Sequence, residues 1–130
     1  MRKQPLADAS TARQRLGAIH AELARLLPVL LRREPMFPAC VYFSPRRCGN
    51  PGCHCASGEL HPAWVMSFRD GDHMVNRSVP ADERETLVAQ AAEYRAFRLA
   101  GRQWRKLSRE AQSLFDVLQK AREIRREPKP

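Results

Sequence analysis

The sequence predicts a mostly α-helical fold in which an N-terminal helix packs antiparallel on a long C-terminal helical segment, with a small three-stranded β unit between them. Apolar residues recur at intervals of three and four positions in the first and last thirds of the 130-residue chain, which is the helical period. The middle third instead contains apolar and aromatic runs separated by Gly, Pro and Asp, which is typical of strands and turns. At this length we expect a single domain over residues 1–130.

The N-terminal part predicts a flexible tail over residues 1–9 and a helix over residues 10–27. Thr11 and Gln14 have the spacing of a capping box at the start of this helix. Its apolar face consists of Leu16, Ile19, Leu23, Leu26 or Leu27, and Leu30. Pro28 is expected to end or kink the helix, because proline lacks the N–H that an interior helical residue donates.

The middle part, over residues 39–80, predicts three β-strands. They are expected at residues 39–44, 63–68 and 73–79. Asp70-Gly71 gives the signal of a tight turn between the last two strands. A sheet this small is marginally stable alone, so we expect it to need a further source of stability.

The C-terminal part predicts a long helical segment over residues 80–126. Pro80 suits a first helical position. The apolar stripe that we expect to be buried consists of Leu87, Ala91, Tyr94, Phe97, Trp104, Ala111, Leu114 or Phe115, Leu118 and Ala121. Gly101 lies on the same stripe and leaves open whether the segment is one helix or two. Because the first helix is much shorter, residues 107–124 are expected to need another surface, in a homodimer or on a larger protein.

A cysteine-rich turn in the middle part predicts a metal site. Cys48, Cys53 and Cys55 lie within eight residues, and His61 follows six positions later. Thiolates this close repel one another unless a cation binds them, and Zn²⁺ prefers four sulfur or nitrogen ligands in a tetrahedron. The intervening residues that allow the chain to reverse are Gly49, Pro51 and Gly52. The sequence therefore predicts a structural Zn²⁺ bound by these three cysteines and His61.

Alternatives to this ligand set remain open at this point. The other candidates for the fourth ligand are His54, His73 and Cys40. Cys40 lies in an apolar run, which is more typical of a buried strand cysteine than of a ligand. A disulfide between two of the three neighbouring cysteines would leave one thiol over. A closed structural site is favoured over a catalytic one, because Glu59 is the only nearby acid or base, and we expect the protein not to be an enzyme.

The charge balance is the second informative feature. The chain contains 23 Lys and Arg against 14 Asp and Glu, a net charge of +9, and 19 of the 23 are arginine. Arginine binds phosphate through two N–H groups at once and stacks on bases. This balance indicates a polyanionic partner, with nucleic acid as the first choice.

Two groups of cations are predicted to contact DNA. The first recurs at intervals of three and four in the long helix, with no acidic residue between positions 94 and 109, and consists of Arg95, Arg98, Arg102, Arg105, Lys106 and Arg109. On a helix these residues form one exposed stripe of ~21 Å, at 1.5 Å per residue. The second flanks the cysteine turn and the hairpin and consists of Arg46, Arg47, Arg69 and Arg77. The alternative for the stripe is a solvated face or a protein contact.

The sequence argues against membrane and secreted classes. It has no run of 18 apolar residues, and its N-terminus lacks the apolar stretch of a signal peptide. Four cysteines gathered around one turn favour a metal over a secreted disulfide framework. We therefore expect a cytoplasmic, nucleoid-associated protein with no membrane partner and no small-molecule substrate.

The cysteine core resembles that of an uncharacterised bacterial family, a domain of unknown function. Its members read R-x-C-G-K-P-x-C-x-C, then G-x-x-H-G-P, a hairpin ending in Val-Pro, and a helix with a Tyr-Arg-Phe-like patch. The matching segments here are residues 46–55, 58–62, 79–80 and 94–98, and the resemblance covers roughly residues 12–110. Asn50 replaces the family's lysine, and Pro62 directly follows His61. The family is often encoded near transposase or integrase genes, which implies DNA transactions by neighbourhood alone.

These observations lead to one expectation about function. We expect a non-enzymatic, zinc-containing DNA-binding accessory protein of a transposition or site-specific recombination system. The alternative is a protein–protein adaptor, in which the long C-terminal helix docks on a recombinase, on another nucleic-acid enzyme, or on a second copy of the chain.

Overall fold

The structure is a computed structural model, and it describes residues 5–126 and residue 128. The elements in chain order are α1 (Pro5–Leu30), β1 (Ala39–Phe43), a short 3₁₀ turn (His54–Ala56), β2 (Trp64–Asp70), β3 (His73–Ser78) and α2 (Arg84–Arg122). Two compact units share these elements. The two-helix unit contains α1 and the part of α2 from Leu99 onward, and the central unit is Arg33–Arg98. Two helices with a three-stranded sheet between them in the chain confirm the predicted fold class.

Helix α1 is longer than predicted at both ends. It begins at Pro5, so residues 5–9 of the predicted tail are helical, while residues 1–4 lie outside the described residues. Proline fits the first turn of a helix because the N–H groups there need no partner within the helix. At the other end, Pro28 neither ends the helix nor prevents the last turn from closing, since the Leu31 N–H donates to the Leu27 carbonyl at 2.9 Å.

The core of the two-helix unit lies between antiparallel α1 and α2. Ile19, Leu107 and Ala111 are buried at its centre, and the half-buried residues packed against them are Leu16, Leu23, Leu26 and Leu114. The prediction that residues 107–124 lack a partner is therefore wrong for residues 107–114, because the predicted apolar face of α1 packs on this part of α2. Beyond them, Phe115 remains 53% exposed.

Helix α2 is one continuous helix that passes through Gly101 without a break. It begins at Arg84 rather than at Pro80, because the Glu83 N–H donates to the Pro80 carbonyl at 3.0 Å in a separate turn. The aromatic stripe is less buried than predicted: Phe97 is 38% exposed, whereas Ala91 and Ala100 are buried. No helix in the described ranges has both the length and the apolar character needed to cross a membrane.

The sheet of the central unit is antiparallel, with the strand order β1-β2-β3. The three strands lie within two residues of their predicted bounds, so this part of the fold was readable from the sequence. Gly71 takes the first position of the two-residue loop between β2 and β3 with φ of +63°, which a type II′ turn requires and other residues rarely adopt. Ala39 and Val65 are the buried residues of the sheet.

Candidate metal centre and basic surfaces

The loop between β1 and β2 contains the predicted metal ligands, and backbone hydrogen bonds hold its two ends together. The Ser44 N–H donates to the Ala63 carbonyl at 2.7 Å, directly beyond the last strand pair. Further along, Arg46 and His61 exchange both backbone hydrogen bonds, at 3.0 and 2.9 Å. The hydrogen-bond ladder between the two strands thus continues to His61. It places His61 opposite Arg46, two residues before Cys48.

Inside the loop, the backbone turns sharply around Asn50. The backbone carbonyl of Asn50 accepts a hydrogen bond from the Cys53 N–H at 3.0 Å, and the side-chain Oδ1 of Asn50 accepts one from the Gly52 N–H at 2.9 Å. Gly49 adopts φ of +82°, a conformation that favours glycine over residues with a Cβ atom. Arg47 Nη1 donates to the Ala56 carbonyl at 2.6 Å, which ties the start of the loop to the 3₁₀ turn.

The four predicted ligands lie together, and their ligand atoms are all within 4.8 Å of one another. Cys48 Sγ is 3.5 Å from Cys55 Sγ, and Cys53 Sγ is 3.1 Å from His61 Nε2. All four cysteines of the chain are free thiols, and Cys55 is buried while Cys48 is exposed. This arrangement can hold one metal ion through three sulfurs and one nitrogen. It is the only such group of His, Cys, Asp or Glu among the described residues.

Local hydrogen bonds bias two of the four side chains, Cys48 and Cys53, toward the form that binds metal, whereas the Cys48 and Cys53 sulfurs raise the pKa of His61. The Asn50 backbone N–H, followed by the Cys55 thiol and the His61 ring, lowers the pKa of Cys48 to about 6. The Cys55 backbone N–H and then His61 lower the pKa of Cys53. The Cys48 backbone N–H acts in the same direction on Cys55, but burial and the neighbouring thiols outweigh it and raise the pKa of Cys55. A low thiol pKa favours the thiolate, which is the form that coordinates a metal.

The alternative ligands lie elsewhere or at the margin. Cys40 is on β1, outside the cluster, and it is exposed rather than buried as its apolar neighbours suggested. His73 is the first residue of β3 and is also outside the cluster. His54 is close, with Nδ1 3.7 Å from Cys53 Sγ and its ring centroid 5.0 Å from that of His61, but it is exposed and is not one of the four clustered ligands.

The arginines near the metal loop do not form one surface. Arg46 and Arg47 lie on the loop itself. Arg69 is on β2, whereas Arg77 on β3 is opposite Met66. Since side chains alternate along a strand, Arg69 and Arg77 point to opposite faces of the sheet.

The predicted stripe on α2 is exposed along its whole length. In the central unit, Arg98 packs over the Tyr94 ring at 5.7 Å and donates to its hydroxyl at 3.2 Å. In the two-helix unit, the stripe consists of Arg102, Arg105, Lys106 and Arg109. None of these four cations is within ion-pair distance of a carboxylate in the part of the chain that the structure describes.

The net charge is divided unequally between the two units. The two-helix unit contains 15 Lys and Arg against six Asp and Glu, whereas the central unit contains eight of each. The whole excess of +9 therefore belongs to the two-helix unit. Sequence reasoning missed this division, because it appears only when the boundaries at Arg32 and Leu99 are known.

One comparison with known proteins identifies a family. The model of a domain of unknown function, DUF6788, matches residues 8–89, which is more than half of the chain. The chain belongs to the DUF6788 family. This confirms the resemblance to an uncharacterised family, and the matched residues contain all four candidate ligands. The stripe from Arg95 to Arg109 lies beyond the DUF6788 match. No curated protein and no solved structure matches the chain.

Proposed function

We propose that this DUF6788 protein is a non-enzymatic, zinc-containing DNA-binding accessory protein of a transposition or site-specific recombination system. The main support for DNA binding is the concentration of the net charge of +9 in the two-helix unit. A surface of this sign attracts a polyanion and releases its counterions on binding.

The exposed cations of α2 are suited to bind the phosphate backbone of DNA. Arg102, Arg105 and Arg109, together with Lys106, are exposed and form no ion pair with a described carboxylate. Arginine binds phosphate through two N–H groups, so these side chains fix position on the duplex without reading its sequence. Arg95 and Arg98 lie on the same helix and continue the stripe of cations toward its N-terminus. Arg46 and Arg47 of the metal loop are proposed as a second contact with DNA.

The metal ion that fits the cluster best is Zn²⁺ in a structural site. Zn–S bonds of about 2.3 Å at tetrahedral angles place neighbouring ligand atoms about 3.8 Å apart. The separation of 3.5 Å between Cys48 Sγ and Cys55 Sγ is close to this value, and all four ligand atoms lie within 4.8 Å of one another, so modest movements would bring them to the tetrahedral positions. Four protein ligands leave no open position, which supports a stabilising role rather than catalysis.

The experiment that tests DNA binding compares two double charge reversals by fluorescence anisotropy on a labelled duplex. Arg102→Glu with Arg105→Glu is expected to raise Kd by about tenfold or more and to flatten the dependence of log Kd on log salt concentration. Arg33→Glu with Arg84→Glu is the control, since it changes the charge equally at exposed residues of the neutral unit that are not predicted to contact DNA. Equal losses in the two variants, or no salt-dependent binding by the wild type, would contradict the proposal.

A second candidate function is a protein–protein adaptor that docks through α2 on a recombinase or on a second copy. It is supported by Phe115 and Val117, which remain 53% and 37% exposed past the residues packed on α1. Analytical ultracentrifugation of the chain alone tests this role in its self-association form. The adaptor role predicts association that Phe115→Ser abolishes, and association that survives this change would contradict it.

A further inference from the structure

A groove of about 400 Å³ runs between α1 and α2 in the two-helix unit. Leu26 and Leu107 supply the apolar part of its lining, and Leu107 is 8% exposed. The rest of the lining is charged or polar and comes from both helices. A volume of this order is at the lower end of the range for small-ligand pockets.

Both acidic side chains in the groove are hydrogen-bonded to Arg15. Its guanidinium donates to both carboxylate oxygens of Glu110, with Nη2 2.9 Å from Oε1 and Nε on Oε2, and its Nη1 is 3.3 Å from Glu22 Oε1. This pairing with Arg15 holds the pKa of Glu110 below its usual value, so Glu110 stays ionised and tied to Arg15. The groove also contains two other cations, so three positive charges face two carboxylates and leave a net charge of +1, although the lysine among them also attracts Glu110.

Those other cations are Arg25 on α1 and Lys106 on α2. Both are exposed, and neither is within ion-pair distance of a described carboxylate. Gln103, one turn before Lys106, adds an amide group to the same lining. The groove thus presents N–H donors from both helices beside apolar side chains, and cationic N–H donors are the groups that bind phosphate most strongly.

We propose that the groove between α1 and α2 binds one backbone phosphate of DNA, with Arg25 and Lys106 donating to its oxygens from the two helices. This inference rests on the proposed DNA-binding function and adds α1 to the binding surface. DNA is the source of the phosphate because Lys106 lies among Arg102, Arg105 and Arg109, which are placed to contact the neighbouring phosphates.

The test compares the DNA affinity of a variant that lacks these two cations with that of a variant that lacks two cations elsewhere. Arg25→Ala with Lys106→Ala takes one cation from each helix inside the groove, and Arg13→Ala with Lys120→Ala takes one exposed cation from each helix outside it. The groove pair is expected to weaken duplex binding about tenfold and to reduce the salt slope by about one, because one phosphate contact is lost. The control pair is expected to change Kd less than about twofold, since it removes the same charge but no phosphate contact.

A second measurement uses the unmodified protein and remains valid if a variant fails to fold. Acetylation by a small reagent, followed by mass spectrometry, reports the access to each lysine with and without an excess of duplex DNA. Lys106 is expected to be protected by DNA while Lys120 reacts as in the free protein. Inorganic phosphate in place of DNA distinguishes a free phosphate site, and protection by phosphate alone at the same concentration would overturn the assignment to DNA.

The outcomes separate this inference from the proposed function. If the wild type does not bind DNA, both are wrong. The groove inference alone is overturned by the following combination. Arg102→Glu with Arg105→Glu abolishes DNA binding, Arg25→Ala with Lys106→Ala binds as tightly as its control variant, and Lys106 of the wild type stays reactive when DNA is present.

Discussion

Arg15 of α1 and Glu110 of α2 form a two-point ion pair that joins the helices of the two-helix unit. The guanidinium bonds both carboxylate oxygens, and Glu22 on α1 accepts from the same arginine at 3.3 Å. The side chains of Arg15 and Glu110 are 38% and 39% exposed, so water and salt weaken the attraction. The pair therefore contributes mainly to the alignment of the helices, and the buried Ile19 and Leu107 provide most of the packing.

This pair predicts a specific acid sensitivity. The Arg15 contact holds the pKa of Glu110 below its ordinary value of 4.5. A lowered folded-state pKa means that the stabilisation is fully present above about pH 4.5 and is lost as the pH falls through the lowered pKa. Glu110→Gln should lower Tm by a few degrees at neutral pH, and the difference from wild type should shrink in acid. Glu123→Gln, which changes an exposed acid outside any described ion pair, should leave Tm unchanged at both pH values.

The ligand set predicts that each chain binds one metal ion and that substitution of a ligand abolishes metal binding. Native mass spectrometry should find one Zn²⁺ bound to the wild type, and none bound to Cys55→Ser or His61→Ala. Cys40→Ser and His73→Ala are the matched controls, because both residues lie outside the cluster. Loss of zinc in either control, or its retention without Cys55, would show that the metal is bound elsewhere.

Metal removal should affect the two units differently. The Arg46–His61 backbone pair closes the metal loop, so releasing His61 from a metal should loosen the ladder between β1 and β2. Hydrogen exchange with and without a chelator should show faster exchange at Arg46 and at His61. The amides of Ile19 and Leu107 should keep their protection, because the core of the two-helix unit contains no metal ligand. Equal loss of protection in both units would contradict this prediction.

The parts of the fold that the sequence predicted are those set by local patterns. The strands, the Gly71 turn and the leucine face of α1 follow from residue order alone, and the four ligands were found by their spacing. The helix bounds were less predictable, because Pro5 and Pro28 are tolerated in the end turns of a helix and a proline by itself does not say which turn it occupies.

Contacts between distant residues were not predictable. Arg15 and Glu110 are 95 positions apart, and no local pattern pairs them. The exposure of Cys40 depends in the same way on which face of the sheet is covered, which its apolar neighbours do not reveal.

The backbone of the metal loop provides a last prediction, at Gly49. Its φ of +82° is a conformation in which a residue with a Cβ atom is strained by about 1–2 kcal/mol, although no other atom lies within 4 Å of the position that a Cβ would occupy. If the metal-bound loop keeps this conformation and the metal-free loop can relax out of it, Gly49→Ala should weaken zinc binding about tenfold, since about 1.4 kcal/mol corresponds to a factor of ten. Gly17→Ala is the matched control, because Gly17 lies in α1 with ordinary helical φ and equally open space. That change should leave zinc affinity unchanged and raise the stability of α1 by about 0.5–1 kcal/mol. A competition titration against a zinc chelator measures both affinities, and equal values for Gly49→Ala and the wild type would show that metal binding does not depend on this backbone conformation.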